Sequence, residues 1–370
     1  MDASARLTRQ LAAVVSVIGL AAGLAAATAG AAHAAVPDKW GFAFVSKPSV
    51  PGIPDLTHQA GSWPAAFKVH TTPGAAGRVI VTFPRIASKN GVVHVTAVNQ
   101  GPVWCQAEKW AASGPNEVVS VRCRRAGGAP VFSRFTVLYT TSSKGPFPAG
   151  RAYGYVHFQP GGGVVATFNS AGTVNTVTPG APGVWVVRMP GLGTPAWAGN
   201  VQVTAVNAIV AAKCEVGAWA AAPSGQRFLV RCYNGAATPL KTGWTLSYQR
   251  GRSSFGGQPK LFAYIFNNKP AVAGPYAPVP VPVNFNSAGG VNTAANGGGF
   301  SLVRFPRAGM LPNNVLVSPF KAGPGFCNLL TLWATSAGAP KVVAVRDVVC
   351  WTAGGMRKPT ASLVTYTTSH

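Results

Sequence analysis

The chain has 370 residues, and its 31 lysines and arginines against seven aspartates and glutamates give a formal net charge of +24. So few carboxylates leave little material for acid–base catalysis, which usually needs two of them or one beside a histidine. The excess positive charge favours anionic partners such as nucleic acid, cell-wall polymers and acidic glycans. A secreted basic protein without an anionic partner is the alternative.

The first elements in the chain predict a secretory signal peptide at residues 1–34. Arg6 and Arg9 form a positive region, an apolar run follows at residues 11–27, and Ala32-His33-Ala34 places small residues at a cleavage position. An uncleaved membrane anchor is the alternative, because the run is just long enough to span a bilayer. We expect a mature protein that is secreted and extracellular, with no further membrane span.

The remaining chain predicts an all-β fold of three tandem antiparallel β-sandwich or barrel-like units. The predicted boundaries are residues 38–143, 151–250 and 260–370, with linkers rich in Ser, Gly, Pro and basic residues at 142–150 and 251–259. Each unit contains short apolar-alternating segments rich in Val, Thr and aromatic residues, separated by turn residues. No segment after the signal has a helical period of useful length.

Internal repeats carry the three-unit prediction. Short motifs recur at corresponding places, and each second cysteine of a unit lies 16 residues before a tyrosine. The recurring motifs are Phe168–Gly172 with Phe285–Gly289, and Val95–Asn99 with Val203–Asn207. The tyrosines are Tyr139, Tyr248 and Tyr366.

Six cysteines in an exported chain predict three disulfides. The pairs are Cys105–Cys123, Cys214–Cys232 and Cys327–Cys350. The midpoint of each pair falls among Gly, Pro, Ser or Asn residues, which are typical of tight turns. We therefore expect one cross-hairpin disulfide in each unit, worth about 3 kcal/mol of stability.

Alternation of side chains along the cysteine hairpins sorts residues by face. The cysteines fall on the apolar face, and Trp110 and Trp219 fall on the outer face beside arginines. Tryptophans that face outward next to basic residues can stack on sugar rings or bases. The alternative is that the two tryptophans close a contact between units. In the third hairpin Trp333 falls on the cysteine face, provided that no bulge intervenes.

The same register pairs acidic with basic residues on the outer face. Glu215 lies directly across from Arg231, and Glu108 lies diagonal to Arg122. We expect these to be exposed ion pairs worth less than about 1 kcal/mol. The expected polyanion contacts are a cluster of arginines, with a solvated basic face as the alternative. They are Arg122, Arg124, Arg125, Arg227 and Arg231.

The chain carries no sequence signature of an enzyme, a metal site or a cofactor site. Its histidines and carboxylates are scattered, no Gly-x-Ser-x-Gly elbow occurs, and no Cys-x-x-Cys pair is present. The glycine runs at 161–163 and 297–299 are not followed by Gly-Lys-Ser or Gly-Lys-Thr, so we interpret them as turns. We predict a protein that is not an enzyme and needs no cofactor.

The recurring Phe-Asn-Ser-Ala-Gly strand end, the Met-Pro or Phe-Pro turn, Val-Thr-Ala-Val and the cysteine hairpin resemble repeats in secreted proteins of actinomycete-type bacteria. The resemblance implies export and repeat architecture, and it assigns no binding residue. The first functional hypothesis is a secreted binding or cell-surface-associated protein that engages an anionic polymer through repeated units. The second is an inhibitor or effector whose rigid disulfide hairpins contact another protein, and a hydrolase with an unfamiliar site is the third.

Overall fold

Short stretches rich in Val, Thr and aromatic residues form the strands, because β-branched and aromatic side chains fit a pleated sheet. The computed structural model describes residues 39–141 and 147–369. The predicted signal peptide, the first part of the 142–150 linker and the last residue lie outside these ranges. Within them there is no α-helix, only two short 3-10 turns at Leu56–His58 and Val281–Val283. The prediction of an all-β fold is confirmed.

The strands are numbered in chain order and fall into three segments. Segment 1 contains β1 (Lys39–Val45), β2 (Gln59–Gly61), β3 (His70–Pro73), β4 (Arg78–Phe83), β5 (Val92–Val98), β6 (Val103–Ser113), β7 (Asn116–Arg125) and β8 (Arg134–Thr141). Segment 2 contains β9 (Ala152–Gln159), β10 (Gly163–Asn169), β11 (Thr176–Pro179), β12 (Val184–Pro190), β13 (Asn200–Val206), β14 (Ala212–Ala222), β15 (Gly225–Asn234) and β16 (Gly243–Arg250). Segment 3 contains β17 (Phe262–Asn267), β18 (Asn284–Asn286), β19 (Thr293–Gly297), β20 (Phe300–Phe305), β21 (Asn313–Pro319), β22 (Phe326–Leu329), β23 (Ala334–Thr335), β24 (Val343–Trp351) and β25 (Ser362–Thr368).

Strands within each segment pair antiparallel in two groups of four. Segment 1 has the orders β2-β1-β8-β5 and β3-β4-β7-β6. Segment 2 has β10-β9-β16-β13 and β11-β12-β15-β14. Segment 3 has β18-β17-β25-β21 and β19-β20-β24-β22, with β23 also on β24. Apart from the extra strand β23, the eight strands of each segment therefore pair in the same order.

Three parallel contacts join the segments to one another. Ala107 of β6 pairs with Val206 of β13, and Leu329 of β22 pairs with Val98 of β5. An isolated bridge joins Val216 of β14 to Phe320, just after β21. Segment 1 thus contacts segment 2, segment 2 contacts segment 3, and segment 3 returns to segment 1. The expectation of barrel-like units is wrong, because each sheet among the described residues ends in free edge strands rather than closing on itself.

Three large hydrophobic core clusters are present, each formed mainly by one segment and completed by residues of another. The tyrosines that follow the second cysteines are fully buried in these cores. Their hydroxyls donate to backbone oxygens just before the neighbouring strand of the same sheet, which is β5, β13 or β21. Tyr139 donates to Asn90 at 2.6 Å, Tyr248 to Ala198 at 2.8 Å and Tyr366 to Met310 at 2.9 Å. The constant spacing of these tyrosines therefore has a structural role.

The three predicted disulfides are confirmed. Cys105–Cys123, Cys214–Cys232 and Cys327–Cys350 each join directly opposed residues of an antiparallel pair. All six cysteines are buried, and the described residues hold no free cysteine. Trp333 is buried in the same core as Cys327, although it lies beyond the end of β22.

The predicted outer face of Trp219 is wrong. The register of β14 shifts between Val216 and Ala218, so Trp219 lies across from the core residue Phe228 and is only 4% exposed. A one-residue bulge moves every later side chain of a strand to the other face. A corresponding shift in β6 leaves Trp110 half-buried against the core of segment 1.

The two predicted acidic–basic pairs are also corrected. Glu108 is buried, at 5% exposure, and lies 2.6 Å from the Nε atoms of both Arg78 and Arg122. Glu215 lies across from Arg231, as the register predicts, but it has no exposed surface. Neither carboxylate is the exposed, weakly paired group that alternation alone predicts. Glu108 lies between two arginines of its own sheet, and Glu215 accepts from the Gly323 N–H of segment 3.

Candidate anion-binding site

Three lysines surround an aromatic pocket where segments 2 and 3 meet. Lys269, Lys321 and Lys358 are exposed and line a cavity of about 380 Å³. Its aromatic wall consists of the side chains of Trp197, Phe266 and Phe320. We name this site the three-lysine pocket.

The backbone at each lysine is held by hydrogen bonds. The Lys269 N–H donates to the Tyr276 hydroxyl at 2.9 Å, and the Lys321 N–H donates to the Val216 oxygen at 3.0 Å. The Lys358 N–H donates to the oxygen of the disulfide-bonded Cys350 at 2.8 Å. These bonds fix the directions from which the flexible lysine side chains reach the pocket.

The aromatic wall is continuous with the core of segment 2. The rings of Phe266 and Phe320 lie edge to face, with centroids 4.8 Å apart, and Trp197 lies 5.8 Å from Phe266. Behind it, Trp219 stacks on Trp197 with centroids 6.1 Å apart, and the Trp197 indole N–H donates to the Trp219 oxygen at 3.0 Å. Trp219 therefore supports the wall of the pocket without reaching its surface.

The pocket carries positive charge without a matching carboxylate. None of its three lysines forms an ion pair within the described ranges. The Lys321 ammonium lies 5.6 Å from the centroid of the Phe320 ring, which gives it a cation–π contact. An anion with an apolar face, such as a charged sugar, would meet both ammonium groups and aromatic rings here.

Glu215 interacts electrostatically with Lys358, but its hydrogen bond is to the backbone of another loop. Its carboxylate accepts a hydrogen bond from the Gly323 N–H at 3.0 Å. Burial raises the pKa of Glu215 to about 7, and the nearby Lys358 and Arg231 charges oppose that rise. The carboxylate therefore holds the loop after β21 in place.

The residues predicted for binding do not come together at this pocket. Trp110 lines a separate cavity of about 290 Å³ with Lys89, and its ring centroid is 4.3 Å from that of His157 in segment 2. Burial lowers the pKa of His157 to about 4, so this ring is neutral at pH 7. The alternative of a contact between segments describes Trp110 and Trp219 better than an exposed platform does.

The predicted arginines have different environments. Arg122 is paired with Glu108, and Arg124 is buried, with its Nη1 donating to the Gly128 oxygen at 2.9 Å. Burial lowers the pKa of Arg124. Arg125 is exposed, and the half-buried Arg231 packs on Gly217.

Arg227 is the predicted arginine whose surroundings best suit an anion. It is exposed and directly opposite the exposed Arg188, and both line a shallow cavity of about 390 Å³. Like charges directly opposite each other on a sheet are unfavourable until a counter-ion or ligand screens them. This pair is a second basic surface, separate from the three-lysine pocket.

Sequence reasoning missed the three lysines of the pocket. Two of them precede proline, in Lys269-Pro270 and Lys358-Pro359, and Lys321 follows Phe320, two residues after the end of β21. A lysine outside the strands and beside an aromatic residue or a proline is a signal that could have found them. It could not have shown that they meet.

Within residues 39–141 and 147–369, no group of three or more His, Cys, Asp or Glu side chains could hold a metal ion. No helix in the same ranges is long and apolar enough to cross a membrane. In comparisons with known proteins, no protein-family model, curated protein or solved structure matches this chain.

Proposed function

We propose that this protein is a secreted, non-enzymatic binding protein that engages an anionic extracellular polymer. In this proposal the protein consists of three copies of one β-sandwich unit, and each copy contacts both others. The common pairing order of the three segments, the three disulfides at one position and the cyclic contacts between segments support it.

The three-lysine pocket is the observation that carries the binding proposal. A polymer with regularly spaced negative charges gains from several ammonium groups at once, and its apolar faces gain from packing on aromatic rings. The exposed Arg188–Arg227 pair adds a second contact that a long chain reaches and a small anion does not. Attachment at two places raises the overall affinity through the effective concentration of the second contact.

The experiment compares wild type with two variants of equal charge. The first replaces Lys269, Lys321 and Lys358 by Gln. The matched control replaces three exposed lysines outside the pocket, Lys47, Lys241 and Lys341, by Gln. Binding of the oxidised mature protein to isolated cell walls, heparin and DNA is measured at several salt concentrations.

We expect the pocket variant to lose at least about tenfold in affinity for one polymer at moderate salt. We also expect the slope of log affinity against log salt to fall by about 2, because three ammonium contacts are lost. The control variant should change much less. Equal losses in the two variants would contradict the pocket, and no binding of wild type at low salt would contradict the polymer proposal itself.

The inhibitor or effector alternative predicts a different result. Binding to a protein through an apolar contact changes little with ionic strength, whereas polyanion binding weakens steeply. A salt-insensitive protein partner together with no polymer binding would favour that alternative.

A further inference from the structure

Three side chains, one from each segment, meet where the segments contact one another. They are the residues just before the first cysteine of each disulfide: Trp104, Lys213 and Phe326. Because neighbours on a strand alternate, these residues point away from their own cores while the cysteines point into them. The cyclic contacts of the segments bring the three together around a cavity of about 40 Å³.

Lys213 is a buried cation without a polar partner. It is 3% exposed, and its ammonium has no hydrogen-bond partner or ion pair within residues 39–141 and 147–369. Its contacts are ring faces, because Nζ lies 4.7 Å from the Trp104 ring centroid and 5.3 Å from that of Phe326. An isolated buried ammonium is strongly unfavourable unless a counter-charge or hydrogen-bond acceptors compensate it.

Nearby groups do not supply that compensation. Glu215, two residues further along β14, accepts from the Gly323 N–H and forms no ion pair with Lys213 among the described residues. The Ala212 backbone oxygen, next to Lys213, accepts from the Trp104 indole N–H at 3.0 Å. The group that satisfies the ammonium must therefore come from outside the chain, and the cavity has room for about one small ion.

We propose that this cavity between the three segments binds one small monovalent anion, of the size of chloride, against the Lys213 ammonium. The anion neutralises the buried charge and accepts from the ammonium, while the two rings hold the side chain in place. Because the cavity contacts all three segments, the bound anion stabilises their association. A large anion such as gluconate does not fit a cavity of about 40 Å³.

The experiment compares chloride with gluconate at equal ionic strength in three proteins: wild type, Lys213→Met and the exposed-lysine control Lys241→Met. We expect 0.1 M chloride, compared with gluconate, to raise the folding equilibrium constant of wild type and the control about tenfold. This corresponds to an increase in Tm of about 2 °C. The shift should vanish in Lys213→Met, whose apolar side chain fills the same space.

A direct measurement does not depend on any variant. Wild-type crystals soaked in bromide should show an anomalous peak within hydrogen-bonding distance of Lys213 Nζ. Absence of that peak, or equal Tm values of wild type in chloride and gluconate, would overturn the proposal. Loss of polymer binding in the three-lysine variant leaves these outcomes unchanged, so the two proposals fail separately.

Discussion

Thr96 and Val317 are 221 residues apart in the chain and form two hydrogen bonds with each other. The Val317 N–H donates to the Thr96 hydroxyl at 2.9 Å, and that hydroxyl donates to the Val317 oxygen at 3.3 Å. Two similar bonds join the other segments: Val95 N–H to the Thr204 hydroxyl at 3.2 Å, and Val203 N–H to the Ser318 hydroxyl at 2.9 Å. Strands β5, β13 and β21 are thus joined in a ring by side-chain hydroxyls.

Replacing Thr96 by Val should lower the free energy of unfolding by about 1–3 kcal/mol. The shape is kept, but the buried Val317 N–H loses its acceptor. Urea unfolding measures the loss, with Thr178→Val on an exposed strand position as the control, expected within about 0.5 kcal/mol of wild type. An unchanged midpoint for Thr96→Val would show that the ring of hydroxyl bonds adds nothing to stability.

Glu215→Gln should stabilise the protein at pH 8 by about 1–3 kcal/mol. The pKa of Glu215 is raised to about 7 in the folded protein from an ordinary 4.5, so the folded state keeps a proton that the unfolded state releases. The stability of wild type relative to the variant therefore falls as the pH rises from about 4.5 to 7 and is constant outside that window.

The residues that correspond to Glu215 in the other two segments are amides, so the reverse substitution can be tested there. Gln106 and Asn328 also follow the first cysteine of their pairs, and both bind the loop of another segment through amides. Gln106→Glu should destabilise the protein above pH 7. Thermal unfolding of both variants from pH 4 to 9 checks the sign, and parallel pH profiles for wild type and Glu215→Gln would contradict it.

Glu108→Gln should cost about 2–4 kcal/mol, far more than an exposed ion pair. The carboxylate lies between Arg78 and Arg122, which are directly opposite in the sheet, and it also accepts from the Ser120 hydroxyl at 2.6 Å. Neutralising it leaves two like charges facing each other without a counter-charge.

The measurement for Glu108 is denaturant unfolding at low and high salt. The loss should shrink at high salt, because salt screens the remaining repulsion. The double variant Arg78→Gln with Glu108→Gln should recover part of the loss, since one of the two facing charges is gone. Additive losses in the double variant would refute the coupling.

Removing one disulfide by Cys214→Ser with Cys232→Ser should lower the free energy of unfolding by about 3 kcal/mol. The pair closes a loop with a separation of 18 residues, and opening it restores entropy to the unfolded chain. Cys105→Ser with Cys123→Ser opens a loop of the same length and should cost about the same. Urea midpoints of both variants test this, and a reduced wild type as stable as the oxidised protein would be inconsistent with it.

Local features made part of this architecture predictable. The cysteine pairs are predictable because turn residues lie midway between the two cysteines of each pair. The all-β fold is predictable because apolar side chains alternate along each strand, and both patterns depend on neighbours within about 20 residues. The face of Trp219 was not predictable in this way. A single inserted residue at Gly217 reverses the alternation, and the sequence marks such a bulge only weakly.

By itself, the sequence determined the strand-forming segments, the hairpins with their disulfides and the large positive charge. Only the tertiary structure decided which distant groups meet: Thr96 with Val317, Lys213 with Trp104, and the three lysines around Trp197. The physical reason is range. Strand propensity, turn geometry and alternation act between near neighbours, whereas the contacts between segments form across 100 residues or more, once burial brings the segments together.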